Sequence, residues 1–164
     1  MTQSVHALLC LPEVYQYLAD GEPPSIGIAA DWLADSGADW SAYGGGLWGL
    51  LPVSDAAVPA GLVLLSDYAD ARMELTYLLH PDHWGSGLAT RMAHTVMGRC
   101  FKRGQVHTIW AGADKPNVGS INVMQRLGMR FGRDVKYPSG EGVEYVMAAS
   151  AYQPRRFISL DIIN

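Results

Sequence analysis

Side chains alternate in character from Met73 to Leu79, which is the period of a strand. Pro81 ends this run, and a Gly-Ser-Gly turn follows at 85–87. From Leu88 to Cys100 the apolar residues recur at helical spacing, and Gly104 is suited to end that helix. The pattern therefore predicts a strand, a glycine turn and a helix in direct succession.

This turn is predicted to bind an anion. Glycine lets the backbone turn sharply with its N–H groups pointing outward, and the first amides and the dipole of the following helix converge on the same place. We therefore expect a ligand that carries phosphate. The alternative is that the glycines serve only the geometry of a strand-to-helix connection, because a lone G-x-G is a weak signal.

The segment before residue 73 is predicted to contain two short helices and two strands. The predicted ranges are Leu11–Leu18 and Ile26–Leu33 for the helices, and Leu47–Val53 and Gly61–Asp67 for the strands. Ser25 is the expected N-cap of the second helix. Trp40 and Tyr43 are placed in the loop after that helix. Because three strands then follow one another with short connections, we expect an antiparallel meander.

Beyond the long helix, a strand, a helix and a hairpin are predicted. The predicted ranges are Val106–Gly112, Val118–Leu127 capped by Asn117, and the strands Met129–Tyr137 and Val143–Ala149 joined by Pro138, Ser139 and Gly140. The fold class is α/β (α+β), with one mixed, mostly antiparallel sheet and helices on both faces. Residues 1–150 are expected to form the domain, and residues 151–164 a strand-like tail.

Composition and charge narrow the function. The net charge of −4 over 164 residues gives no electrostatic reason to expect nucleic acid or an acidic membrane surface, which favours a small molecule or a peptide. No leader or membrane-spanning pattern is present, so the cytoplasm is the expected location. The two cysteines and five histidines have no metal-ligand spacing, and Cys100 is expected to be a buried thiol.

Four segments in this order resemble the GNAT superfamily of N-acetyltransferases, which use acetyl-coenzyme A. The segments are 12–18 (PEVYQYL), 74–81 (ELTYLLHP), 84–89 (WGSGLA), and 117–120 (NVGS) followed by 126–129 (RLGM). They are most similar to the branch of ribosomal-protein N-terminal acetyltransferases, the RimJ/RimL-like proteins. The resemblance spans residue 11 to about residue 149, and it implies the GNAT-like acyl-CoA N-acyltransferase fold.

The resemblance implies which residues bind coenzyme A. The pyrophosphate would be held by main-chain N–H groups of Gly85, Ser86, Gly87, Leu88 and Ala89, and Trp84 stands where the superfamily usually has Gln or Arg. The strand would splay from its neighbour, so that Leu78, Leu79 and His80 present main-chain groups to the pantetheine arm. Asn117 would hydrogen-bond the pantetheine; alternatively it only caps its helix.

The resemblance also implies two catalytic residues. Glu74 is the first candidate for the base that deprotonates the amine, and an N–H of Leu78 or Leu79 would stabilise the oxyanion. Ser120 is the candidate donor to the leaving thiolate, since Met124 occupies the position where many relatives have a tyrosine. Surface charge and close packing are the alternative roles of Glu74 and Ser120. Further candidates near the site are Tyr137, Glu141 and Glu144.

Two features depart from the family. The usual first strand is missing, because only residues 1–10 precede the first predicted helix, and residues 155–163 extend past the expected end with strand character. We expect this tail to add a strand to its own sheet or to a partner's, which would make a homodimer; a frayed terminus is the alternative. The acceptor is a primary amine of a small molecule or of a protein N-terminus, and its choice is assigned to residues 21–45 and 137–144.

Two other function classes stay open from the sequence. One is a non-catalytic module that binds coenzyme A as a sensor or interaction partner, because the acid and base residues are few. The other is an unrelated nucleotide-binding domain that reads phosphate at the same turn.

Overall fold

A computed structural model describes residues 1–18, 21–51 and 58–155. The helices are α1 (Thr2–Leu9), α2 (Pro12–Tyr15), α3 (Ile26–Tyr43), α4 (Leu88–Arg103) and α5 (Val118–Leu127). The strands are β1 (Gly46–Leu50), β2 (Gly61–Ala69), β3 (Arg72–Leu79), β4 (Thr108–Asp114), β5 (Arg130–Tyr137) and β6 (Gly140–Ala148). Among the described residues, no helix is both long and apolar enough to cross a membrane.

The strands form one mixed sheet in the order β1-β2-β3-β4-β6-β5. The first three strands pair antiparallel, which confirms the predicted meander. The predicted hairpin is also confirmed, since Tyr137 pairs with Gly140 across the turn between β5 and β6. Only β3 and β4 pair in parallel, as expected for two strands connected through a helix.

β3 and β4 separate along their length. They pair only from Arg72 with Thr108 to Glu74 with Trp110. Beyond Glu74 the remaining residues of β3 have no partner on β4, so a cleft opens between the two strands. The sequence pattern does not show this gap, which the resemblance implied, and the structure contains it.

The two faces of the sheet carry separate cores. On β2, Leu62 and Leu64 face α1 and α3, whereas Val63 and Leu65 face α4. This alternation follows from the two-residue period of a strand buried on both sides. The helices therefore cover both faces, as predicted.

The helix predicted from Ile26 to Leu33 is longer in the structure and continues to Tyr43. Trp40 and Tyr43 consequently belong to the helix and not to a loop, because the first strong stop signal is Gly44, which adopts the left-handed conformation (φ 73°). Ser25 is the N-cap residue, although its side chain makes no capping hydrogen bond.

Residues 2–9, for which the sequence predicted no element, form α1. Three side chains of this helix, Val5, Leu8 and Leu9, are buried against α3 and the sheet. The helix predicted over residues 11–18 is shorter, since α2 ends at Tyr15. The strand predicted over 47–53 ends at Leu50, and residues 52–57 lie outside the described part of the chain.

After β6 the chain makes one 3-10 turn, Ala149–Ala151, and lies against α4. The hydroxyl of Tyr152 is 3.0 Å from Nδ1 of His94, and the carbonyl of Gln153 is 3.0 Å from its Nε2. The predicted tail strand over 155–163 falls, from residue 156 onward, outside the described residues. The tail's role therefore stays a prediction.

Candidate functional site

The glycine turn is held in place by its own neighbours. Gly85 and Gly87 have φ values of 73° and 74°, a conformation that glycine adopts without strain. Ser86 Oγ donates to the carbonyl of His83 over 2.5 Å, and the indole N–H of Trp84 donates to the carbonyl of Leu79 over 2.8 Å. Trp84 therefore has a structural role at this turn and supplies no charge.

The turn leads directly into the N-terminus of α4. The first intrahelical bond runs from the N–H of Arg91 to the carbonyl of Gly87, so the amides of Leu88, Ala89 and Thr90 have no partner within the helix. One of them is capped weakly, since the amide of Leu88 is 3.4 Å from Ser86 Oγ. The remaining amides and the helix dipole favour an anion here, as the sequence predicted.

Thr90 is a site residue that the sequence analysis missed. Its Oγ1 is buried without a hydrogen-bond partner, and the residue lines the cleft. Because a buried hydroxyl without a partner is costly, this oxygen is expected to bond to a ligand. The residues at the helix N-terminus thus fit a polar group of coenzyme A. Arg126, which also lines the cleft, adds a positive charge.

The cleft between β3 and β4 has a volume of about 720 Å³. Most of the predicted cofactor-binding residues line it: Leu78, Leu79, Trp84, Gly85, Gly87, Leu88, Ala89, Asn117 and Ser120. His80 and Ser86, although both are described, lie outside this lining. The structure therefore brings the glycine turn, β3 and the start of α5 around one cavity.

The main-chain groups of β3 divide between the sheet and the cleft. The N–H of His80 donates to the carbonyl of Ala60 over 2.9 Å, so it points toward β2. Main-chain direction alternates along a strand, so Leu78 also faces β2 and Leu79 faces the cleft. The amide of His80 therefore points away from the cleft, and the main-chain contacts of Leu78, Leu79 and His80 with the cofactor stay predictions.

Asn117 begins α5 as predicted. Its Oδ1 accepts a hydrogen bond from the N–H of Ser120 over 3.1 Å, which confirms the N-cap. Both residues also line the cleft. The cap fixes the first turn of α5 at the cavity wall, and it therefore fixes where the hydroxyl of Ser120 lies.

The hydroxyl of Ser120 has a partner that the sequence analysis did not identify. Tyr77 Oη, on β3, lies 2.7 Å from Ser120 Oγ and 2.8 Å from the Ser120 carbonyl oxygen. Burial raises the pKa of the Tyr77 phenol, so the ring stays neutral. The alternation of β3 was the available signal, since it places Tyr77 on the same face as the buried Leu75 and Leu79.

A second, smaller cavity of about 220 Å³ adjoins the cleft. It is lined by Tyr17, Gly21, Glu74, Trp110, Gly112, Ala113, Asp114, Tyr137, Pro138 and Ser139. Four of these residues, Tyr17, Glu74, Gly112 and Ala113, line the cleft as well. Glu74 therefore lies where the two cavities meet, at the last pair of β3 with β4.

The environment of Glu74 suits a general base. Partial burial and the carboxylates of Asp67 and Glu144 raise its pKa from 4.5 to about 7. Asp67 reaches Glu74 because β2 has an irregularity between Ser66 and Ala69, where Asp67 has a φ of 56°. A carboxyl group with a pKa near neutrality can accept a proton and release it again at physiological pH.

Tyr137 forms a wall of the smaller cavity. A Cβ atom at Gly112 would overlap the Tyr137 hydroxyl, and one at Gly142 would overlap its ring. The missing side chains of these two glycines therefore give the ring its position on the sheet. Tyr137 was among the further candidates near the site, but the sequence did not show which residues it would contact.

The other two candidates, Glu141 and Glu144, are engaged in ion pairs. Glu144 accepts two hydrogen bonds from Arg133, of 2.7 and 2.9 Å, and Glu141 contacts Lys115 Nζ at 3.0 Å. Both carboxylates are therefore already occupied by a cationic side chain. The structure therefore favours Glu74 among the three as the base.

Glu74 and Ser120 lie on opposite sides of β3. Glu74 and Tyr77 are three positions apart on the strand, so their side chains point to opposite faces, and Tyr77 faces Ser120. A group in the gap between β3 and β4 is thus open to the carboxyl from one face and to the hydroxyl from the other.

Cys100 is buried in the core between α4 and the sheet, and burial raises the pKa of its thiol to about 11, so it is no nucleophile. Within residues 1–18, 21–51 and 58–155, no three His, Cys, Asp or Glu side chains come together as metal ligands.

The chain is similar to a described family and to several solved structures. A family model described as the acetyltransferase (GNAT) domain matches residues 2–130. Among solved structures, an acetyltransferase of the GNAT family from Bacillus anthracis has a TM-score of 0.71 at 17% identity, and the match covers 91% of this chain and 89% of that chain.

Two further structures contain coenzyme A. RimL, a ribosomal L7/L12 α-N-protein acetyltransferase in complex with coenzyme A, has a TM-score of 0.75 at 14% identity, over 92% of this chain and 89% of that chain. An aminoglycoside acetyltransferase in complex with coenzyme A has a TM-score of 0.68 at 14% identity, over 89% and 88%. These TM-scores show the shared fold, and the family model spans most of the sequence. The chain therefore belongs to the GNAT family of acetyltransferases.

Proposed function

We propose that this protein transfers the acetyl group of acetyl-CoA directly to a primary amine, with Glu74 as the general base. The position of Glu74 carries this proposal, because its carboxyl lies where the cofactor-sized cleft and the smaller cavity meet. Its pKa of about 7 suits proton transfer at neutral pH. As a member of the GNAT family, the protein uses acetyl-CoA as a co-substrate.

Coenzyme A would occupy the larger cleft. We assign its pyrophosphate to the amides of the glycine turn and the first turn of α4, with Thr90 Oγ1 as an additional polar partner. Its pantetheine arm would run along β3, past Leu79 and Asn117. This arrangement places the thioester in the gap between β3 and β4.

The chemical step follows from this placement. Glu74 takes a proton from the ammonium form of the acceptor, and the free amine attacks the thioester carbonyl. The amide of Leu79, which faces the gap, would stabilise the oxyanion, and the Ser120 hydroxyl would stabilise the leaving sulfur. Attack within a ternary complex requires no covalent enzyme intermediate.

The acceptor is assigned to the smaller cavity. Its lining contains the side chains of Glu74 and Asp114 and three aromatic rings, and the described residues that line it include no Lys or Arg. We propose a small amine with a positive charge, for which this lining is electrostatically suited. A peptide N-terminus is the second acceptor class, and the structural similarity to RimL suggests it.

The test is an acetylation assay with a panel of acceptors. Purified protein is incubated with acetyl-CoA and diamines, aromatic monoamines or peptides with free N-termini, and released thiol and product mass are measured. The proposal predicts turnover with small cationic amines and none with the same amines after N-acetylation. If coenzyme A binds but no amine is acetylated, the protein is a non-catalytic coenzyme A-binding module.

Three further assignments stay predictions. The domain is proposed to span residues 1–150, and the location is proposed to be cytoplasmic. A homodimer through the tail predicts that deletion of residues 155–164 lowers the mass in solution and the melting temperature. If neither quantity changes in light scattering and thermal unfolding, the tail has no such role.

A further inference from the structure

The hydroxyl of Tyr77 lies close to two hydrogen-bond acceptors and has one proton to donate. Its Oη is 2.8 Å from the carbonyl oxygen of Ser120 and 2.7 Å from Ser120 Oγ. A phenol donates one hydrogen bond at a time, whereas its oxygen also accepts. The pair therefore has two hydrogen-bond arrangements that use the same heavy-atom positions.

In the first arrangement Tyr77 donates to the Ser120 carbonyl, and the Ser120 hydroxyl donates to Tyr77. In the second, Tyr77 donates to Ser120 Oγ, and the O–H bond of Ser120 points toward the cleft. Only rotation of two O–H bonds separates them. The surrounding heavy atoms stay fixed because the carbonyl belongs to the first turn of α5, which Asn117 caps.

We infer that Tyr77 is a positioning residue that turns the Ser120 hydroxyl toward the sulfur of coenzyme A when negative charge develops there. This inference rests on the proposed function. The bond between the acetyl carbon and sulfur breaks, and its electron pair goes to sulfur. The sulfur then accepts a hydrogen bond from Ser120 Oγ, while Tyr77 donates to the same Oγ. The acceptor nitrogen loses two protons, one from its ammonium form before the attack and one as the amide forms, and Glu74 takes each in turn and passes it to solvent.

Neither hydroxyl gives up its proton in this scheme. Burial raises the pKa of Tyr77, which disfavours its anion, and an aliphatic hydroxyl is far less acidic than a thiol. The thiolate is thus stabilised by a hydrogen bond and leaves in that form. The Tyr77 bond strengthens the one from Ser120, because hydrogen bonds in a chain polarise one another.

The test is the titration of the thiol of bound coenzyme A, followed by the ultraviolet absorbance of its thiolate. We expect the pKa of the bound thiol in Tyr77→Phe to exceed the wild-type value by about one unit, a tenfold change in the ionisation constant. Ser120→Ala should show a similar rise, and the double variant should add little to it. Tyr145→Phe is the matched control, since its hydroxyl contacts Gln125 outside both cavities.

Kinetics give a second readout. With an accepted amine, Tyr77→Phe should lower kcat by about tenfold and leave the KM for acetyl-CoA within about twofold, because the bond forms only as charge develops. The decrease in kcat caused by Tyr77→Phe should be smaller for acyl donors whose leaving thiols are more acidic. Thermal unfolding checks that each variant is folded. If Tyr77→Phe does not fold, Ser120→Ala tests the same hydrogen bond between Tyr77 and Ser120.

The outcomes separate the two proposals. A wild-type thiol pKa equal to that of both Tyr77→Phe and Ser120→Ala overturns the inference, even if acetylation is observed. Additive effects of the two substitutions overturn it as well. Absence of turnover in the wild type refutes the proposed function, whereas the titration of bound coenzyme A still decides the hydrogen-bond arrangement. Absence of coenzyme A binding refutes both.

Discussion

The two cavities that meet at Glu74 are built in different ways. The predicted pyrophosphate end of the cofactor cleft depends on one contiguous stretch, in which the end of β3, the glycine turn and the start of α4 follow one another. The smaller cavity takes its lining from four separate parts of the chain, around Tyr17, Glu74, Trp110 and Tyr137. At this end of the cleft the predicted contacts are mainly main-chain amides, whereas the smaller cavity offers side chains.

This difference explains why the two halves of the site were not equally predictable. Main-chain recognition of an anion needs glycines and a helix start at fixed spacing, which can be recognised in a sequence. A cavity assembled from distant segments depends on the tertiary fold. Substitutions in the glycine turn should therefore affect cofactor binding, and substitutions around the smaller cavity should separately affect acceptor binding.

The largest expected effect is at the boundary of the two cavities. Glu74→Gln removes the base and should lower kcat by about 100-fold or more, since general bases contribute at this level. The wild-type kcat/KM should rise with pH through about 7, where the carboxyl loses its proton, and the variant should lose this limb. Rate measurements from pH 5 to 9 provide the check.

The matched control for this change is Glu22→Gln. Glu22 is exposed and lies outside the lining of both cavities, so its substitution should leave the rate and the pH profile unchanged. Coenzyme A affinity should be the same in all three proteins. A pH profile that persists in Glu74→Gln would show that another group is the base.

A substitution in the glycine turn should affect the cofactor side. Gly87→Ala imposes a left-handed conformation on alanine and adds a methyl group near the predicted pyrophosphate site, so the Kd for coenzyme A should rise by about tenfold. Gly104→Ala is the control, because Gly104 has a similar φ of 79° at the other end of α4 and is equally uncrowded. Calorimetric titration measures both. Equal Kd values for Gly87→Ala and Gly104→Ala would show that the glycine turn does not bind coenzyme A.

The acceptor side can be altered separately. In Gly142→Ala the new methyl group would overlap the ring of Tyr137, so the wall of the smaller cavity must move. We expect the KM for the amine to rise by about fivefold, with the Kd for coenzyme A unchanged. Gly49→Ala, on β1, is the control, because its Cβ would make only an ordinary contact. A change in coenzyme A affinity would contradict the separation of the two sides.

The sequence predicted the fold where signals are local. The stops at Gly104 and Gly128, the cap at Asn117 and the period of β3 each depend on a few adjacent residues, and each is confirmed. The length of α3 was wrong because tertiary packing extends a helix whose own periodicity is weak beyond Leu33. The helix α1 was missed for the same reason, since its buried face is defined only by α3 and the sheet.

The site residues follow the same rule. Glu74 and Ser120 were named from the family likeness, but the sequence contains no sign that they lie on opposite faces of β3. Tyr77 and Thr90 were missed, because a hydrogen bond across 43 residues and a buried hydroxyl without a partner exist only in the folded chain. Side-chain contacts between distant segments are set by the fold, and no local pattern encodes them.

The smallest expected effect concerns Glu74, whose carboxylate at the boundary of the two cavities lowers the free energy of unfolding. The folded-state pKa of Glu74 is raised, so the fold is destabilised by its carboxylate above pH 7 and not below the unfolded value near 4.5. Glu74→Gln should therefore raise the melting temperature by about 3 °C at pH 8, after discounting for partial exposure, and leave it unchanged at pH 4. Glu22→Gln should shift it at neither pH. If the melting temperature of Glu74→Gln rises equally at both pH values, the gain comes from better packing of the glutamine. The carboxylate between the two cavities would then not be held there for catalysis at a cost in stability.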